Sequence, residues 1–256
     1  MNAVHRILDP ADGIQVPPGL CALAVMTKAP RAGEVKTRLT PPLTPEEAAA
    51  LNVCLLRDTA TAISAAVADG GAAGIAVYTP VGAEAAWAEI LPGHFALVAQ
   101  REGTFGVRLT HAVDDLLRIG FHSVCLIDSD SPTVPAQAYR QAIDALNSPG
   151  DRMVLGPSED GGYYLIGLKK LHRRAFAEID WSTDRVAAQT LERAREIDLE
   201  VELLPTCFDV DDQASLRRLC QELLAVGAAH ASAPATRDFL GGLIEREGRD
   251  RIWPNE

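Results

Sequence analysis

LCALAVM, residues 20–26, and VCLI, residues 124–127, are apolar at consecutive positions rather than at alternate ones. A strand with one face in water alternates, so these two segments must be buried on both faces, as in a largely parallel sheet held between helix layers. Apolar runs at 74–78, 95–99, 153–155, 163–168 and 201–204 are further strand candidates. Between the runs at 20–26 and 74–78 lies TPEEAAALNVCLLRDTATAISAAV, residues 44–67, where Thr44 can cap, Pro45 takes the first helical position and Glu47 completes a capping box. Helical patterning recurs at 83–90, 107–118 with Gly120 as a stop, 136–146, 184–197 and 215–225. Strand and helix in alternation define an α/β chain, whose ligands sit beyond the carboxyl ends of the strands.

No repeat, low-complexity tract or long linker divides the 256 residues. The spacing predicts one domain over 20–256 preceded by an arm, 1–19, with a loop at 228–235 before a last helix at 237–246. A net charge of -11 repels polyanions over most of the surface, which argues against nucleic acid. The five cysteines have no CxxC spacing and fit reduced thiols. The N-terminal stretch carries Asp9, Asp12 and prolines in place of an apolar leader, and there is no run of 18 apolar residues. A cytoplasmic protein with no membrane partner is expected.

Against that acidic background, four of the 24 Lys and Arg residues fall within positions 28–38, KAPRAGEVKTR, directly after the first strand. The place suits a phosphate cradle, with Lys36 as a point charge and Arg38 as a bidentate fork. Neither GxxxxGK[ST] nor GxGxxG occurs, so the grip is not of the P-loop or dinucleotide kind. A solvated basic loop fits the same spacing.

LIDSDSP, residues 126–132, closes a strand with Asp128 and Asp130 on alternate positions, from which they can face one divalent cation. Hard carboxylate oxygens suit Mg²⁺ or Mn²⁺, although Asp-Ser-Pro is also ordinary turn chemistry. In GPSEDGGYYLIGL, residues 156–168, Glu159 and Asp160 precede Gly161 and Gly162, placing acids able to act as a general base beside a backbone that tolerates close approach. FDVDD, residues 208–212, offers Asp209 and Asp211 as further metal ligands, with Asp211 or Asp212 as an alternative helix cap. The six histidines lack HxxxH and HExxH spacing and no GxSxG is present, which removes zinc protease and serine hydrolase chemistry.

In order, KAPRAGEVKTRL, IDSDSP, GPSEDGGYYLIGL, DWST and FDVDD resemble the signature of a bacterial family in the GT-A, or nucleotide-diphospho-sugar transferase, superfamily, whose members are labelled arsenosugar-biosynthesis glycosyltransferase or radical-SAM/selenodomain-associated transferase. The likeness spans about residues 20–222. It implies a three-layer α/β/α sandwich with a mixed, mostly parallel sheet of about seven strands. It further implies nucleotide or phosphate binding by Lys28, Gly33, Lys36, Arg38 and Arg108, and metal binding led by Asp130. Acceptor or sugar binding falls to Gly161, Gly162, Tyr163 and Trp181, with Asp160 or Glu159 as the catalytic carboxylate. One departure is Thr104, which stands where relatives carry an acid in Asp-Leu-Gly-x-Arg; Gly106 and Arg108 of that motif are kept.

The activity expected from the resemblance is metal-dependent glycosyl transfer from a nucleotide-diphospho-sugar donor to a small-molecule acceptor, with Mg²⁺ or Mn²⁺ as cofactor. Two alternatives stay open: a nucleotidyltransferase acting on a nucleoside triphosphate and a phosphorylated substrate, and a non-catalytic nucleotide-binding protein.

Overall fold

In a computed structural model, residues 5–224 and 232–252 are described. Among the described residues eight strands form one sheet: β1 (Arg6–Ile7), β2 (Cys21–Lys28), β3 (Ala72–Thr79), β4 (Ala96–Ala99), β5 (Ser123–Ile127), β6 (Arg152–Pro157), β7 (Tyr163–Leu168) and β8 (Glu200–Leu203). Their order is β1-β4-β3-β2-β5-β7-β6-β8. β7 runs antiparallel to both its neighbours, β5 and β6, and every other pairing is parallel. The sheet is therefore mixed and mostly parallel.

The helices are α1 (Pro45–Val67), α2 (Phe105–Ile119), α3 (Ala136–Asn147), α4 (Val186–Glu196), α5 (Gln213–Leu224), α6 (Pro234–Glu247) and α7 (Arg249–Ile252). The unbroken apolar strands serve two cores. Cys21, Leu23 and Val25 of β2 pack with Leu56, Ile63, Tyr139 and Ala142 from α1 and α3. Ala22 and Ala24 pack with Leu109, Val113 and Leu116 from α2 on the opposite face. Side chains alternate across a strand, so a sheet covered on both faces needs apolar residues at each position. A third cluster, with Leu51 and Leu55 of α1 against Leu216, Leu219 and Leu240, brings α5 and α6 onto the outside of α1. That helix is long and apolar enough to cross a bilayer, yet its apolar residues are shared between two of these cores.

The capping box at the start of α1 forms as the sequence predicts: Thr44 Oγ1 accepts from the Glu47 amide at 3.2 Å and the Glu47 carboxylate accepts from the Thr44 amide at 2.8 Å. Two expectations change. The arm is tied to the sheet, because Arg6 and Ile7 pair with Ala96 and Leu97 and His5 is buried with its ring nitrogens 3.0 and 3.1 Å from the Phe95 and Trp87 carbonyl oxygens. Period-two pairing over two residues is too short to leave a pattern. The helix expected at 83–90 is only a 3₁₀ turn, Glu84–Trp87, since Trp87 turns fully into the core. Of the loop expected at 228–235, residues 228–231 lie outside the described residues, and α6 begins within it at Pro234.

Candidate functional site

At the carboxyl ends of β2 and β5 the chain opens into a cleft of about 430 Å³, with Arg38, Asp128, Asp130, Asp160, Trp181 and Asp209 among its lining residues. Chain direction explains the gathering. The segments after β2 and β5 leave the sheet on the same edge, and residues 158–162 join it because β7, running the other way, begins there.

The link between these segments is Val210. Its amide donates to the Asp130 carbonyl at 2.9 Å, and its own carbonyl accepts from Lys36 Nζ at 2.7 Å. Lys36 Nζ also lies 2.8 Å from Asp130 Oδ1 and 3.5 Å from Asp211 Oδ1, with only 4% of its side chain exposed. Burial alone would lower the lysine pKa, but the charges of Asp130 and Asp211 outweigh it and raise the value. Arg38 stands in front, 70% exposed, 3.0 Å from Asp211 Oδ2.

Asp128 sits on the cleft floor, where its Oδ2 accepts from Ser131 Oγ at 2.7 Å. Burial, followed by repulsion from Asp130, pushes its pKa up to about 8. Asp209 accepts from Ser158 Oγ at 3.0 Å, and burial with the nearby Asp160 charge raises its pKa as well. Asp160 Oδ1 accepts from the Gly162 amide at 2.8 Å. Asp184 joins the lining too, so carboxylates outnumber cations.

A cleft of this charge would repel a diphosphate unless further cations entered with it. The donor set is hard oxygen from Asp128, Asp130, Asp209 and Asp211, which suits Mg²⁺ or Mn²⁺ held by one or two carboxylates and by the ligand's own phosphates. Among the described residues, no three His, Cys, Asp or Glu side chains are already drawn together around a single cation position.

The opposite wall is aromatic. Trp181 meets Phe105 edge-on with ring centroids 5.0 Å apart and Tyr163 at 6.5 Å. Two glycines set this wall. A Cβ on Gly106 would stand 2.7 Å from Trp181 Nε1, so the indole can lie on α2 only because that residue has no side chain. Gly161, at φ +89°, would put a Cβ 2.0 Å from the Asp184 carbonyl oxygen, and its own carbonyl accepts from the Ala187 amide at 2.8 Å.

Several residues singled out in the sequence lie elsewhere. Lys28 pairs with Glu34 of its own loop at 3.2 Å, and Gly33 makes an open turn at φ +76°. Arg108 donates to Gln100 Oε1 at 3.2 Å and stacks on Phe105 at 5.5 Å. Glu159 points away from the cleft and is held by both terminal nitrogens of Arg218, which itself lies 4.0 Å from the Phe208 ring centroid. Its neighbour Asp160 faces the cleft; both acids sit in the turn between β6 and β7, closed by the Gly161 amide donating to the Ser158 carbonyl at 3.1 Å. Asp212, not Asp211, caps the following helix, its Oδ1 accepting from the Ser215 amide at 2.8 Å. Phe105, Ser158 and Asp184 were not anticipated; an apolar Phe105 exposed at the first position of α2 was the available signal for one of them.

Residues 61–183 match a sequence family described as "Uncharacterized protein conserved in bacteria (DUF2064)". No curated protein matches the chain. A crystal structure from Desulfovibrio desulfuricans G20, described provisionally as a nucleotide-diphospho-sugar transferase, superposes with a TM-score of 0.77 at 29% identity over 92% of this chain and 97% of that one. The fold is nucleotide-diphospho-sugar transferase-like. A cytidylyltransferase from Leptospira borgpetersenii shares this GT-A-like fold at a TM-score of 0.51 and 9% identity, covering 94% of this chain and 98% of its own. A CMP:2-keto-3-deoxy-manno-octonic acid synthetase complexed with CTP does so at 0.50 and 11%, covering 78% and 96%.

Proposed function

We propose that the protein is a nucleotide-dependent transferase, and within that class a metal-dependent glycosyltransferase that moves a sugar from a nucleotide-diphospho-sugar to the hydroxyl of a small acceptor. The observation that carries this reading is the convergence of Arg38, Asp128, Asp130 and Asp160 on one cleft, with Lys36 held against Asp130 behind it, in a fold matched at a TM-score of 0.77. Transferase character follows from that likeness; sugar transfer is the finer step.

In this reading Asp130, with Asp128 and Asp209 on the same cleft, would hold a Mg²⁺ or Mn²⁺ ion that binds the donor diphosphate. When bound, that ion supplies Lewis-acid neutralisation of the charge on the leaving diphosphate. Arg38 adds a forked donor to the same phosphate oxygens. Asp160, whose carboxylate is fixed by the Gly162 amide, orients the acceptor hydroxyl and takes its proton as the sugar's bond to the diphosphate breaks. Phe105, Tyr163 and Trp181 offer apolar ring surface to one face of the sugar and exclude water from it.

Calorimetric titration with nucleoside diphosphates, with and without Mn²⁺, tests the proposal on the wild type and on Asp130→Asn. Mn²⁺ should tighten binding to the wild type and leave the variant unaffected. Equal Mn²⁺ enhancement in both would remove Asp130 from the metal site. Product analysis separates the two transfer chemistries: release of a nucleoside diphosphate from a nucleotide-sugar supports glycosyl transfer, whereas pyrophosphate from a nucleoside triphosphate supports nucleotidyl transfer.

A further inference from the structure

We propose that Lys36 is a resident counter-cation of the metal site, which a divalent ion must displace and whose ammonium is thereby released to the diphosphate. The inference rests on the metal-dependent transferase reading above.

An ammonium has three hydrogens, and here three acceptors surround it: the Val210 carbonyl at 2.7 Å, Asp130 Oδ1 at 2.8 Å and Asp211 Oδ1 at 3.5 Å. With the side chain 4% exposed, no donor remains for a phosphate while this arrangement holds. Arg38, 70% exposed on the same loop, has donors to spare. Sequence position alone would give both residues the same task, so the structure separates them.

The oxygen that Lys36 holds belongs to the carboxylate expected to bind the metal. Two cations sharing one carboxylate oxygen at contact distance repel each other strongly in a half-buried site. The ammonium and the divalent ion are therefore alternatives on Asp130. In the metal-free protein Lys36 neutralises carboxylates that would otherwise face one another across the cleft. On loading, its four-carbon stem lets the ammonium leave Asp130, and the nearest strong anion is then the donor's diphosphate. Metal and nucleotide would bind cooperatively because each favours the displaced lysine.

The test is Mn²⁺ binding by the full chain in the absence of nucleotide, followed by calorimetry, for wild type, Lys36→Met and Lys36→Gln. Both variants remove the charge, and the glutamine keeps donors for Val210 and Asp130, so a folding failure in the methionine variant leaves a second reading. Mn²⁺ should bind both variants about tenfold or more tightly than wild type, because a competing charge is gone. The Mn²⁺-induced rise in melting temperature should likewise exceed that of wild type. Affinity for a nucleoside diphosphate in saturating Mn²⁺ should fall in both. Unchanged or weaker Mn²⁺ binding in the variants overturns the exchange. If that occurs while wild type still binds a nucleoside diphosphate with Mn²⁺, the exchange falls and the transferase reading survives. Tighter Mn²⁺ binding with no diphosphate binding in any form supports the exchange of cations and removes the transferase reading. Absence of both kinds of binding removes both.

Discussion

Lys36 Nζ and Asp130 Oδ1 lie 2.8 Å apart, although one residue follows β2 and the other follows β5. The contact ties the basic loop to the acidic one and makes the cleft a single electrostatic unit. Removing Asp130 leaves a nearly buried ammonium with Asp211 as its remaining carboxylate. Asp130→Ala should therefore cost roughly 1–3 kcal/mol of stability, by analogy with other buried charged groups that lose a partner. Urea unfolding measures it; a variant as stable as wild type would mean that Lys36 draws nothing from the pair.

Glu159 and Asp160 are consecutive acids with opposite surroundings, one clamped by Arg218 and the other on the cleft. Asp160→Asn should lower kcat by about 10²–10⁴-fold, the range for loss of a general base. Glu159→Gln should leave kcat within a factor of about three while lowering stability slightly through the exposed Arg218 pair. Steady-state kinetics on a nucleotide-sugar decide it, and the reverse pattern would exchange the roles.

Gly161 and Gly33 both have positive φ, but only Gly161 faces an obstacle. Gly33→Ala should cost about 1–2 kcal/mol from the left-handed backbone alone. Gly161→Ala must in addition push away the Asp184 carbonyl, so it should be the more destabilising of the two and should weaken ligand binding through residues 181–184. Melting temperatures and nucleotide-sugar affinity, compared between the variants, check this; equal losses would mean that the loop gives way freely.

Asp128 links the site to pH. In the metal-free protein its pKa rises from 3.8 to about 8, so between those values the folded state keeps a proton that the unfolded chain has released. More protons bound to the native state means that this group's contribution to stability falls as pH increases through that window, and the penalty is complete above about 8. Unfolding in EDTA at several pH values should show Asp128→Asn gaining on wild type as pH rises from 5 to 9. A constant difference between the two would place Asp128 in a more polar setting.

Much of the architecture was legible because its physical cause is local. Consecutive apolar residues in 20–26 and 124–127 report a sheet covered on both faces, and the Thr44–Glu47 capping box marks where α1 begins. The two-residue strand Arg6–Ile7 left no pattern because it gains its place from pairing with β4 rather than from its own propensity. At the site, the residue types singled out in the sequence lie on segments that the fold brings to one cleft: the cations follow β2 and the paired acids follow β5. What spacing could not convey was which neighbour turns inward. Glu159 and Asp160 differ by one position and Lys36 and Arg38 by two, yet in each pair one side chain is committed to protein partners. The complementarity of Lys36 and Arg38 with Asp211 was present in the sequence as opposite charge, but its register depends on the Val210 hydrogen bonds, to Lys36 and to the Asp130 carbonyl, which no spacing announces.

Titration of the wild-type chain with a panel of nucleoside diphosphates, with and without Mn²⁺, addresses the central claim most directly. The expected result is saturable one-to-one binding of at least one diphosphate, tightened about tenfold or more by Mn²⁺ and reversed by EDTA. No binding of any nucleoside diphosphate, with either Mn²⁺ or Mg²⁺ present, would contradict the assignment of this cleft.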